Sequence, residues 1–147
     1  MKPILLIIDG MDRTGKTTLI NYINKQTNFT PLIMDRGPIG YKTYSELYNK
    51  KIKPSEYNIL EQQLLKVNHL CIYLYTNEAT IKQRCIDTNE KIPKRGIKKN
   101  LQVYNKYYKQ SKLRKICFNT KYNLPITIYK YILEVLNNDS VSRRNKI

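Results

Sequence analysis

The sequence predicts an α/β fold: a small, mainly parallel sheet of about four strands, flanked by helices in three layers. Three observations predict it. Short, continuous runs rich in β-branched residues recur along the chain, as in strands buried on both faces. Segments with helical spacing separate them, and such alternation leads to a parallel sheet covered by helices on both sides. Finally, 147 residues at 41% hydrophobic content are enough for one core and leave little room for a second domain.

The elements follow in order. Ile4–Ile8 is a buried strand ending in Asp-Gly, and Lys16–Gln26 places Leu19, Ile20 and Ile23 at helical spacing. Thr30–Met34 is a second strand, closed by Asp35-Arg36-Gly37-Pro38. Helices are expected over Tyr41–Asn49 and over Ser55–Val67, the second opening at Pro54 and carrying Ile59, Leu60, Leu64 and Val67 on one face. Leu70–Tyr75 is a third strand, Glu78–Thr88 a helix, and Asn89–Gly96 a polar loop. Lys98–Ser111 is helical, Lys115–Phe118 is a fourth strand, and Pro125–Leu136 a last helix with Ile128, Ile132 and Leu136 inward. The domain is expected to span 1–138, and 139–147 reads as a polar tail that frays.

Composition excludes several classes. No run of 18 apolar residues is present, so no membrane-spanning helix is expected. The opening apolar run is too short for a signal peptide, which points to the cytoplasm. Cys71, Cys85 and Cys117 are scattered and odd in number, neither a disulfide framework nor a metal motif, and read as small buried hydrophobes. The one histidine, His69, argues against zinc sites and histidine triads and reads as structural. Net charge is +16, unevenly spread: residues 1–90 hold 12 bases and 9 acids, residues 91–147 hold 15 bases and 2 acids. A basic half implies an anionic partner, whether nucleotide, polynucleotide or membrane surface. The richness in Lys, Asn, Ile and Tyr, without Trp, is also what AT-rich coding produces, so part of the charge is compositional.

The strongest motif is Gly10-Met11-Asp12-Arg13-Thr14-Gly15-Lys16-Thr17, a complete GxxxxGK[ST] pattern lying between a strand and a helix. The glycines let the backbone wrap an anion, inward amide N–H groups form a nest, and the helix N-terminus adds its field. Lys16 can bridge the β- and γ-phosphates, and the Thr17 hydroxyl can hold Mg²⁺. The pattern predicts binding of a nucleoside triphosphate. Arg13 can neutralise charge on the transferring group, as an arginine finger does in cis. Asp12 is repelled by phosphate and is expected to turn outward, toward an acceptor's hydroxyl or a nearby cation, the other reading being a solvated pair with Arg13.

With these residues in view, the chain resembles the thymidylate kinase and deoxynucleoside kinase branch of the P-loop kinases. Gly10–Thr18 is similar to the GxDRxGKTT loop of thymidylate kinases that carry an arginine there. Asp35-Arg36 resembles the DR pair at the end of the next core strand, followed in the family by a small residue and a tyrosine where this chain has Gly40 and Tyr44. Leu70–Glu78 looks like the strand before the lid-bearing helix, and Asn119-Thr120 like the end of the last strand. The resemblance covers roughly residues 3–136 and implies a P-loop kinase fold that uses ATP and Mg²⁺.

It also implies roles. Lys16, Arg13, Asp35 and Arg36 would be catalytic. Gly10, Asp12, Thr14, Gly15, Lys16, Thr17 and Thr18 would hold the nucleotide, with Arg84 packing on adenine or simply occupying a helix face. Thr17 and Asp35 would serve the metal, and Asp35 could instead accept the acceptor's proton. Arg36 would pair with an acceptor phosphate or the transferring group. The loop Asn89–Gly96, with Lys91, Lys94 and Arg95, would close as a lid or remain a solvated basic loop. Tyr41, Tyr44, Tyr48 and Tyr57 could line an acceptor pocket, whereas Tyr104, Tyr107 and Tyr108 read as packing against the sheet. Family members commonly pair through helices, so a homodimer is possible.

The chain departs from the family in being short. Only Thr27–Met34 separates the first helix from the DR pair, so a strand with an Arg-Glu pair and the thymine-reading helices are missing. Gly40 replaces the usual serine, and Ser45 stands where glutamine is favoured. The expected activity is phosphoryl transfer to a deoxynucleoside monophosphate. The alternatives are a deoxynucleoside kinase acting on a 5′-hydroxyl, a polynucleotide 5′-end kinase, and a non-catalytic nucleotide-binding protein.

Overall fold

The computed structural model describes residues 3–144, with side chains through 138. Its centre is a four-stranded parallel sheet in the order β2-β1-β3-β4, formed by β1 (Leu5–Asp9), β2 (Leu32–Asp35), β3 (His69–Tyr75) and β4 (Lys115–Asn119). All of β1 and β3 is apolar except the ends, because both strands are interior to the sheet and covered on both faces.

Alternation along the strands sorts the core into two layers. Leu6 and Ile8 of β1 and Leu70, Ile72 and Leu74 of β3 face α1 (Lys16–Asn24) and α6 (Pro125–Arg144), packing with Leu19, Ile23, Ile128 and Ile132. Ile7, Cys71 and Tyr73 face the other way, toward α2 (Pro38–Leu47), α3 (Asn58–Leu65), α4 (Glu78–Asp87) and α5 (Ile97–Gln110), with Ile39, Leu64, Ile81 and Tyr104. The chain steps outward from β1 to β2 over one face and returns to β3 over the other, as a single handedness of crossover requires. The direction therefore reverses between β1 and β3, and the crevice beyond their carboxyl ends is where α/β sheets bind ligands.

Several expectations are refined. The segment after Pro54 begins as a short 3₁₀ turn, Pro54–Tyr57, before α3. That turn resets the helical phase, so the buried positions are Glu61 and Leu64, while Ile59 and Val67 are exposed. Cys71 and Cys85 are buried, but Cys117 is exposed because it lies on the outermost strand. His69 is structural: the Arg114 N–H donates to its Nε2 at 3.0 Å, and its Nδ1 lies 3.0 Å from the Val67 carbonyl. α6 runs to Arg144, eight residues past the expected end at Leu136. The tail expected over 139–147 lies outside the described side chains, and 145–147 outside the described residues. Among the described residues no helix is long and apolar enough to cross a membrane.

Candidate functional site

The loop between β1 and α1 wraps on itself. Gly10 has φ 144°, and a Cβ there would overlap the Leu74 carbonyl oxygen and lie 2.8 Å from the Thr14 hydroxyl. Only glycine takes this conformation this close to a neighbouring strand. Thr14 is buried, and its hydroxyl donates to the Met11 carbonyl at 2.6 Å. Gly15 then precedes the first turn of α1, whose exposed Thr17 and Thr18 and largely buried Lys16 face an open cleft. The cleft holds about 550 Å³ and is bounded further out by Arg84, Thr120, Asn123 and Leu124.

Lys16 Nζ donates to the Gly10 carbonyl at 2.6 Å. Burial depresses its ammonium below the ordinary lysine range and Arg36 adds to this, while Asp9, Asp12 and Asp35 oppose. Those five groups are thus one electrostatic cluster. Asp35 itself is exposed at the end of β2, paired in register with Ile8. Arg36 has φ 72°, a left-handed conformation that costs free energy in a non-glycine residue. The turn aims its guanidinium over the Tyr44 ring, 4.1 Å from the centroid, and toward Asp12, 3.6 Å from Oδ1. Asp12 is exposed and faces a nearby cation, Arg36, and not Arg13.

Arg13 pairs instead with Glu90, at the start of the 89–96 loop. Arg84 fastens the same region: it donates to the Arg13 carbonyl at 2.8 Å and to the hydroxyl and carbonyl of Thr120 at 3.1 and 3.2 Å. Its place on the cleft wall comes with a bracing role that the spacing does not reveal. Of the loop's basic residues, Arg95 donates to the Leu47 carbonyl at 3.0 Å, and Lys91 and Lys94 are exposed. Tyr41 of α2 stacks on Tyr57 of the 3₁₀ turn, and Tyr44 of α2 on Tyr48, the residue just past that helix.

Sequence reasoning missed Asp9. This carboxylate is fully buried at the end of β1 and accepts the N–H of Gly10 at 2.9 Å, of Gly37 at 3.1 Å and of Gly40 at 2.8 Å. It therefore ties the Gly10–Thr17 loop to the Asp35-Arg36 corner. The available signal was a charged residue closing a wholly apolar strand. Burial pushes the carboxyl from 3.8 up to about 6, against the three N–H donors and Lys16. A carboxyl whose folded value lies above its unfolded one stabilises the fold when protonated, and that contribution is lost as pH rises through about 6. The unfolding free energy of the native chain, measured against Asp9→Asn, is expected to drop by about 2 kcal/mol between about pH 4 and about pH 6.5. A pH-independent difference would return the carboxyl to its ordinary value.

A parallel sheet with a complete GxxxxGK[ST] loop at its switch point is compatible with a P-loop kinase-like fold. No protein-family model matches the chain, and no curated protein matches it in sequence. Among solved structures it is similar to the YorR protein of Bacillus subtilis, crystallised in complex with phosphorylated GDP. The two share 16% identity with a TM-score of 0.75, over 92% of this chain and 97% of YorR. At that identity the likeness establishes the three-layer fold. Among the described residues no group of three or more His, Cys, Asp or Glu could hold a metal ion by itself.

Proposed function

We propose that the chain is an ATP-dependent phosphotransferase, thymidylate kinase-like, that acts on a deoxynucleoside monophosphate. The observation that carries this reading is the coupling of the Asp35-Arg36 corner to the phosphate loop, through Asp9 below and the Arg36–Asp12 pair above. A protein that merely holds a nucleotide needs the loop; it has no use for an arginine fixed in a left-handed turn beside it. The phosphorylated GDP bound by YorR supports nucleotide binding by the same architecture.

The residues present fit Mg²⁺–ATP. Gly10 lets the loop turn hard against Leu74, where a Cβ would overlap, and the Arg36 Nε is buried without a hydrogen-bond partner among the described residues. Gly10–Thr18 would hold the phosphates, the Thr17 hydroxyl and Asp35 the metal, and the cleft by Arg84 and Thr120 the base. When bound, Mg²⁺–ATP supplies the transferable phosphoryl group and the charge that polarises it.

In this reading Lys16 neutralises phosphate charge, and Arg36 gives its free donors to the acceptor phosphate. A monophosphate attacks with an oxygen that is already anionic, so Asp35 is free to serve the metal instead of removing a proton. Arg13 joins them once it parts from Glu90, and the 89–96 loop excludes water.

The purified chain with Mg²⁺–ATP is expected to phosphorylate at least one deoxynucleoside monophosphate in a panel that also contains nucleosides and 5′-hydroxyl DNA. Labelling confined to nucleosides would replace this reading with a deoxynucleoside kinase. Labelling confined to DNA would replace it with a polynucleotide kinase, for which the basic C-terminal half would supply the surface. A blank panel with ATP still bound would leave a nucleotide-binding protein.

A further inference from the structure

The Gly10 carbonyl accepts two side-chain donors at once. Lys16 Nζ donates at 2.6 Å and the Tyr104 hydroxyl at 3.0 Å. The two differ in what else they can do. Lys16 lines the cleft, whereas Tyr104 belongs to α5 and has no place on the cleft wall. Tyr104 is fully buried, stacked on Tyr73 with centroids 6.0 Å apart and edge-on to Tyr44 at 6.1 Å. Burial also pushes its phenol well above the ordinary tyrosine range, so the hydroxyl remains a donor at any assay pH.

A buried carbonyl left without a donor is costly. If Lys16 were the only partner of the Gly10 oxygen, drawing the ammonium toward a phosphate would orphan that oxygen. A second donor already in place removes this penalty.

We propose that Tyr104 is a positioning residue for Lys16: its hydroxyl keeps the Gly10 carbonyl satisfied, so that the ammonium is free to move from the loop's own oxygen to a nucleotide phosphate. The proposal rests on the nucleotide-binding reading of the loop and adds to it a residue far outside the loop pattern. The same packing accounts for Gly40, where a Cβ would lie 3.0 Å from the Tyr104 hydroxyl.

A double-mutant cycle on the full chain, with Tyr104→Phe and Lys16→Met, tests it. Without nucleotide, Tyr104→Phe alone leaves Lys16 on the carbonyl and is expected to lower the melting midpoint by less than about 3 °C. In the Lys16→Met background the same change strips the oxygen of its last donor, and the loss is expected to be at least about twice as large. With nucleotide, Tyr104→Phe is expected to weaken Mg²⁺–ATP binding about ten-fold, with turnover at saturation within about three-fold of native. A merely structural tyrosine would lower the midpoint equally in both backgrounds and leave affinity unchanged. Either result overturns the proposal. Failure of the native chain to bind ATP would defeat the nucleotide reading instead, while the cycle without nucleotide would still show whether the two side chains share the carbonyl.

Discussion

Replacing Lys16 with alanine is expected to remove phosphoryl transfer, lowering kcat/KM by at least about 10³-fold. Lys16 is the loop cation that Asp9, Asp12, Asp35 and Arg36 all act upon. Arg13 and Arg36, the neighbouring cations, are engaged by Glu90 and Asp12. No nearby group can therefore take over the charge without breaking a pair. The fold should survive the change. The Gly10 carbonyl keeps its Tyr104 donor, and Asp9 keeps its three backbone donors although it loses a compensating charge. Kinetics and thermal melting on the same sample check both halves. Transfer within about ten-fold of native in a folded Lys16→Ala protein would reject the phosphate-loop assignment.

Gly40→Ser is expected to have the largest effect of any change outside the loop, even though serine is the residue the resembled family uses at this place. In this chain a Cβ at 40 would press on Asp9 Oδ1, lie 2.6 Å from Arg36 Cγ and reach within 3.0 Å of the Tyr104 hydroxyl. None of the three can retreat easily. Asp9 is fixed by backbone N–H groups, Tyr104 by two aromatic rings, and Arg36 by its turn. Overpacking of this kind costs about 1–3 kcal/mol, which lowers the melting midpoint by roughly 4–10 °C for a chain of this size. Because the displaced groups join the two halves of the site, transfer should fall about a hundred-fold or more even where the protein stays folded. A Gly40→Ser protein with native midpoint and native rate would show that the corner has room to relax.

The sheet and its order of elements were legible because period and run length report burial directly. Ile7 and Leu6 belong to different layers only because adjacent strand residues point to opposite faces. The loop was legible because its glycines, lysine and threonine make up one complete pattern between a strand and a helix. Side-chain pairing was less so. Arg13 with Glu90, and Arg84 with Thr120, join residues far apart in sequence, and no local pattern encodes them. Tyr104 is one tyrosine of 13, set apart only by the crossover that lays α5 beside Gly10. The exposed face of α3 departs from the periodicity counted from Ser55 because a 3₁₀ turn shifts the helix out of phase.

β2 is four residues long, stands at the sheet's border, and pairs through β1 alone. Pro31 before it and the Asp35-Arg36 charges after it discourage a foreign strand from adding there. The same position makes it the strand whose detachment breaks the fewest ladder bonds, so local opening costs least on the side of the molecule that would meet the acceptor. Asp9 is then a hinge pin as well as a brace. Its bonds to Gly37 and Gly40 fix the far end of that strand, confining any breathing to the stretch before the corner. In the proposed reading, a border strand paired on one side only and fastened at its exit would let the acceptor half of the site yield without letting the phosphate half go slack.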